Sequence, residues 1–269
     1  MKPSATDPQL AAPDDEHYVY TPGSVANGKL VVFLPGTRGK PANATRFLSE
    51  AARLGYHAIG LAYDTHESAA EHCRDDLACY GEFRKQGVEG GPNAIEHRLV
   101  ALLAYLDKRH PRDGWGAFLD HGALAYKRIA FAGLSQGGGH AAWIGKHHEV
   151  ARVIMFGAIV DASRDDQPAT WVGEASATPL ARYVGFRHLG DRFAARIAAN
   201  WKALGLDAFG APVSVDGAKR PFKSHQLTTA TPEPDGMAAH ASVVGDRITP
   251  EANGEPVFRD AWDALLVDP

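Results

Sequence analysis

The stretch Gly133-Leu134-Ser135-Gln136-Gly137 has the clearest capacity for chemistry in this chain. It follows Arg128 to Ala132, a short apolar run with a β-branched residue and an aromatic, which predicts a buried strand. A serine between a strand and a helix is held in a strained backbone conformation, so the residues two before and two after it must be small. Gly133 and Gly137 meet that demand. Gly138 and Gly139 let the helix N-terminus approach the sheet and aim free N–H groups and a partial positive charge at the serine. The five-residue pattern alone arises by chance in a chain with 28 glycines. The strand before it and the helix after it are what make Ser135 the candidate nucleophile.

A serine hydroxyl needs a base, and the base needs an orienting carboxylate. In a doubly wound sheet these partners follow the serine as acid and then histidine, on loops at the carboxyl ends of later strands. Asp191 lies just past the second strand after the serine, and His240 lies on an expected loop after the last strand. Asp161 is the alternative acid, since it ends the intervening strand; Asp165 and Asp166 lie in a longer polar loop. Among the thirteen histidines, His225 opens an expected strand and His188 stands three residues before Asp191. His140, His147 and His148 share a helix without the spacing of a metal motif, so no metal site is expected. Two N–H donors are needed for the tetrahedral oxyanion. The amides of Gln136 and of Thr37, in the Pro35-Gly36-Thr37-Arg38-Gly39 turn, are the candidates. Arg38 is an exposed cation beside them that could meet an acidic substrate group or only solvent.

The elements that must position these residues read as an alternation of strands and helices. Strands are expected at 17–21, 29–34, 57–63, 128–132, 150–160, 182–189, 212–215 and 225–231, and helices at 43–54, 92–110, 193–204 and 257–266. Strand, helix and strand between Lys29 and Tyr63 form a right-handed crossover, so those two strands should be parallel. Residues 64–91 read as irregular and polar. Residues 162–179 read as a loop in which Trp171 could roof a site and touch substrate. Residues 1–16 read as a loose tail, followed by one domain over 17–269.

Hydrophobic residues at 45%, charged residues at 22% and a net charge of -4 fit a globular domain and give no basic footprint for nucleic acid. No apolar run is long enough to span a bilayer. Cys73 and Cys79 are the only cysteines. Their spacing allows a local disulfide, two free thiols, or a metal site with His72 that lacks a fourth ligand.

Leu-Pro-Gly-Thr-Arg-Gly after one strand, Gly-Leu-Ser-Gln-Gly-Gly-Gly-His after another, then Phe-Arg-His-Leu-Gly-Asp and Ala-His-Ala-Ser-Val-Val resemble the α/β-hydrolase superfamily. Within it they resemble bacterial, often exported, serine hydrolases. The resemblance spans about Tyr18 to Leu266 and includes the cysteine pair. It implies an α/β-hydrolase fold, a mostly parallel central sheet with helices on both faces, and a Ser135, Asp191 and His240 triad. It also implies a periplasmic or secreted location. His-Gly-Gly-Gly, usual at the oxyanion loop of lipases and esterases, is absent. The expected activity is cofactor-free hydrolysis of a small-molecule or polymeric carboxylic ester through an acyl-enzyme. A peptidase, polyester depolymerase or acyltransferase would use the same residues, and a binding module would use only the fold.

Overall fold

Unbroken buried apolar runs form the strands at the middle of the protein, as in Leu30–Leu34, where all five residues are buried. The computed structural model describes residues 1–10, 13–23, 25–231 and 236–267. Its strands are β1 (Tyr18–Tyr20), β2 (Leu30–Leu34), β3 (His57–Gly60), β4 (Leu119–Asp120), β5 (Ala123–Leu124) and β6 (Ile129–Leu134). They continue with β7 (Arg152–Phe156), β8 (Tyr183–His188), β9 (Val213–Ser214), β10 (Gln226–Thr229), β11 (Glu251–Ala252) and β12 (Glu255–Pro256). The helices are α1 (Thr45–Arg53), α2 (Ala69–Cys73), α3 (Cys79–Glu89), α4 (Ile95–Arg109), α5 (Gln136–His147), α6 (Ala194–Leu204), α7 (Gly236–Ser242) and α8 (Arg259–Val267).

Eight strands form one sheet in the order β1-β3-β2-β6-β7-β8-β10-β9, and β4–β5 and β11–β12 are separate hairpins. Every pairing in the large sheet is parallel except that of edge strand β1 with β3. Alternation along β2 sends Leu30, Val32 and Leu34 into one apolar cluster and Val31 and Phe33 into another. The first cluster contains Leu99 and Leu103 of α4, Ile144 of α5 and Trp201 of α6. The second contains Phe47 of α1 and Trp262 of α8, whose rings meet edge to face at 6.1 Å. Helices therefore cover both faces. From β2 the chain crosses to β3 on one side, and from β6 it proceeds through β7 and β8 on the other. The crevice between the carboxyl ends of β2 and β6 is thus a topological switch point, where open α/β sheets bind ligands.

Several expected elements are corrected. Residues 64–91 contain α2 and α3, joined by a Cys73–Cys79 disulfide. The inward stripe of α3 is Tyr80, Arg84 and Val88, with a charged residue at its centre, so the segment read as polar. The expected strand 150–160 stops at Phe156, and Asp161 lies five residues beyond its end. His240 stands in α7 rather than a loop; Pro232 and Pro234, which suggested the loop, lie outside the described residues. The described part of the segment read as a loose tail, residues 1–10 and 13–16, is docked: Pro3 and Leu10 are buried, and the Met1 ammonium donates to the His17 carbonyl at 2.9 Å.

His17 anchors that segment as a neutral ring. Its Nδ1 accepts the Ala62 amide at 3.0 Å, and burial, aided by the Arg98 charge, lowers its pKa to about 3. Because the folded pKa lies below the unfolded value, the native state binds fewer protons. Stability is full above about pH 6.5 and falls as the pH drops toward 3, by on the order of 2–3 kcal/mol at pH 4 from this group. Denaturant titrations from pH 7 to 4 should show that loss, and a smaller one in His17→Gln; an identical pH dependence in the two proteins would contradict it.

Candidate active site

Ser135 occupies the junction between β6 and α5 with φ 54° and ψ −117°, a conformation that costs a non-glycine residue on the order of 1–3 kcal/mol. The strain is held by close approach on both sides. A Cβ on Gly137 would stand 2.0 Å from the Leu34 carbonyl oxygen, and one on Gly133 would stand 2.3 Å from the Gly137 carbonyl carbon. Only hydrogen fits at either position, so the motif glycines let the first turn of α5 press onto β2 and β6. The Ser135 amide donates to Phe156 O at 2.9 Å, tying the junction to β7 as well.

The side chain of Gln136 fastens the neighbouring loops. Its Oε1 accepts Thr37 Oγ1 and the Ala69 amide, both at 3.1 Å, and its Nε2 donates to Glu67 O at 3.0 Å. Thr37 lies in the turn after β2, closed by Gly39 N to Gly36 O and Arg38 N to Thr65 O, and Tyr63 Oη holds Pro35 O at 2.6 Å. Among the described residues the amides of Thr37 and Gln136 have no acceptor, so both expected oxyanion donors are unoccupied and flank one cavity. Sequence reasoning assigned Gln136 a backbone role only.

His240 and Asp191 are brought together from different elements. His240 Nδ1 and Asp191 Oδ2 are 2.6 Å apart in a buried setting, and Asp191 Oδ1 accepts the Phe193 amide at 2.8 Å. A carboxylate acceptor requires the proton on Nδ1. Gly236 N donates to Gly190 O at 3.0 Å, pinning the start of α7 to the loop that carries the acid. His240 Nε2 is buried and, among the described residues, has no partner. Ser135 and His240 line the same cavity, of about 540 Å³, together with Thr37, Gln136 and the apolar side chains of Val160, Phe193 and Val244. Ser135 Oγ makes no hydrogen bond to a described residue.

Asp161, the alternative acid, pairs elsewhere. Its carboxylate takes Arg84 Nε at 2.9 Å and Nη2 at 2.5 Å, with both side chains fully buried. Arg84 Nη1 also donates to Gln136 O at 2.7 Å, so the ion pair braces the residue after the serine. Sequence reading missed Arg84; a charge at the middle of an otherwise apolar i, i+4, i+8 stripe was the available signal. Trp171 does not roof the cavity. It is buried, and its indole N–H donates to Asp161 Oδ2 at 3.1 Å. Arg38 lines the cavity but pairs with Glu71 at 3.2 Å. His188 Nδ1 accepts the Gly190 amide, supporting the turn before Asp191, and His225 stacks on Phe209 at 4.6 Å. Folding brings Glu89 and Glu96 to His148, at 3.8 and 3.5 Å, a grouping that sequence spacing did not reveal.

The sheet order, the single antiparallel edge strand and the turn at Ser135 decide the architecture. The fold is that of the α/β-hydrolases. Comparisons with protein-family models and with curated proteins give no match. Among solved structures, the chain is similar to esterase 2 of Thermogutta terrifontis in its apo form, at 14% identity and a TM-score of 0.48, covering 94% of this chain and 88% of that one. It is also similar to an α/β serine hydrolase homologue from Coxiella burnetii, at 13% identity and a TM-score of 0.40, covering 70% and 76%. Esterase B of Lactobacillus rhamnosis matches at 14% identity and a TM-score of 0.45, covering 96% and 83%.

Replacing Arg84 by Met should leave the Asp161 carboxylate buried without its cation. That should destabilise the fold by about 3–5 kcal/mol, because breaking a buried pair strands a desolvated charge. Urea denaturation measures it, and a loss below about 1 kcal/mol, the range of an exposed pair, would contradict the bracing role.

Proposed function

We propose that the protein is a serine hydrolase that cleaves carboxylic esters through a Ser135, His240 and Asp191 triad. The observation that carries this reading is the buried Asp191–His240 pair: His240, whose Nε2 has no partner among the described residues, lines the same cavity as Ser135. The volume of that cavity, about 540 Å³, is in the range that holds a small organic molecule.

In this reading His240 Nε2 takes the Ser135 proton as Oγ attacks the ester carbonyl carbon, and the carbonyl π electrons move to oxygen. The amides of Thr37 and Gln136 hold that oxyanion. Collapse re-forms the carbonyl and breaks the bond to the alkoxide, which leaves as alcohol with the proton from His240. Water then gives a proton to His240 and attacks the acyl carbon; the bond to Oγ breaks, and Ser135 recovers its proton as the acid departs. Asp191 stays ionised throughout, fixing the ring tautomer and stabilising the imidazolium. The small loop closed by Cys73 and Cys79 supports a periplasmic or secreted setting, where such bonds persist.

The test is turnover of short p-nitrophenyl esters. Ser135→Ala should abolish it, and Asp191→Asn should lower kcat by about 10³–10⁴, because the amide permits the wrong imidazole tautomer. Asp161→Asn with kinetics as impaired as Asp191→Asn, at equal folded fraction, would contradict the assignment of the acid.

A further inference from the structure

The charge lining the cavity is opposite in sign to that of the chain. The cavity is lined by six cationic side chains and two carboxylates, in a protein of net charge -4. Most of these charges are spoken for. Arg84 holds Asp161, Arg38 pairs with Glu71, Lys40 with Asp15 and Arg196 with Asp166. The other lining carboxylate, Asp246, is occupied by the Thr45 amide and hydroxyl and by the Arg46 amide. Arg192 and Arg247 remain, both exposed and neither paired with a carboxylate of the described residues.

Arg192 is close to the reacting centre. Its guanidinium lies 4.9 Å from the centroid of the Phe193 ring, and that ring meets His240 edge to face at 5.2 Å. The same cavity is lined by the apolar side chains of Leu134, Val160 and Val244, and by Met237 and Ile248, which are exposed. An ester that fills this space has an apolar spacer at the serine and an anionic group at the rim.

Resting on the hydrolase reading above, we infer that the preferred substrate is an ester carrying a carboxylate at the far end of a short apolar chain, bound by Arg192 and Arg247. The guanidinium fork accepts a carboxylate through two parallel hydrogen bonds, and a cationic mouth with low-dielectric walls raises the local concentration of anions. Arg38, the sequence-based candidate for this role, is already engaged by Glu71.

Monoethyl adipate and ethyl hexanoate differ chiefly in the terminal carboxylate and are the probes. The wild type should hydrolyse the hemiester with kcat/KM about tenfold or more above the neutral ester, mainly through KM, the scale expected of electrostatic focusing. Raising the ionic strength from roughly 0.02 to roughly 0.5 M should shrink that ratio, since the arginines are exposed. Arg192→Gln with Arg247→Gln should bring the ratio to about one. Equal or slower turnover of the hemiester overturns the inference, as does no turnover of either ester by an enzyme that cleaves p-nitrophenyl acetate; both outcomes leave the hydrolase reading standing. No turnover of any of the three overturns the hydrolase reading and this inference with it.

Discussion

The contact on which the site depends is the approach of the first turn of α5 to the carboxyl ends of β2 and β6. Hydrogen at Gly133 and Gly137 is the only substituent that contact allows, and it forces Ser135 to a φ of 54°. From this one packing requirement several consequences follow. The serine stands clear of the sheet at the switch point, the Gln136 amide is left without an acceptor among the described residues, and the Gln136 side chain reaches Thr37 and the start of α2. Backbone strain of this kind persists only where the surroundings over-determine it. Here the bonds from Ser135 N to Phe156 O and from Arg84 to Gln136 O do so.

Two buried aspartates illustrate how environment, rather than residue type, assigns roles. Asp161 and Asp191 both follow sheet strands after the serine, and both are almost wholly buried. Asp161 is met by a guanidinium and an indole N–H, which consume its acceptors and make it part of the scaffold. Asp191 meets a backbone amide and an imidazole whose other nitrogen has no partner among the described residues, so in the proposed reading its charge acts on a group able to move a proton. One carboxylate steadies α5, and the other, in the proposed triad, sets the tautomer of the ring beside it.

The legible parts of the sequence were those governed by local rules. Strands buried on both faces appear as continuous apolar runs, so the runs at 29–34 and 128–132 located the strands Leu30–Leu34 and Ile129–Leu134. What escaped notice depended on contacts between distant segments. Arg84 was not singled out within a segment read as polar, because its partner lies 77 residues away, and the indole N–H of Trp171 is aimed inward by the same carboxylate. The capping box of Ser68 and Glu71 was a local signal for α2 that the surrounding polarity obscured. At the N-terminus, buried Pro3 and Leu10 and the bonds of Met1 and His17 hold a segment whose composition is otherwise that of a tail.

The central claim is that Ser135 is an activated nucleophile. Intact-mass measurement after exposure to a small serine-reactive phosphonate, on the wild type and on Ser135→Ala side by side, tests it most directly. The account predicts a single adduct on the wild type and none on the variant. A folded wild type that stays unmodified, or a variant that is labelled equally, would contradict it.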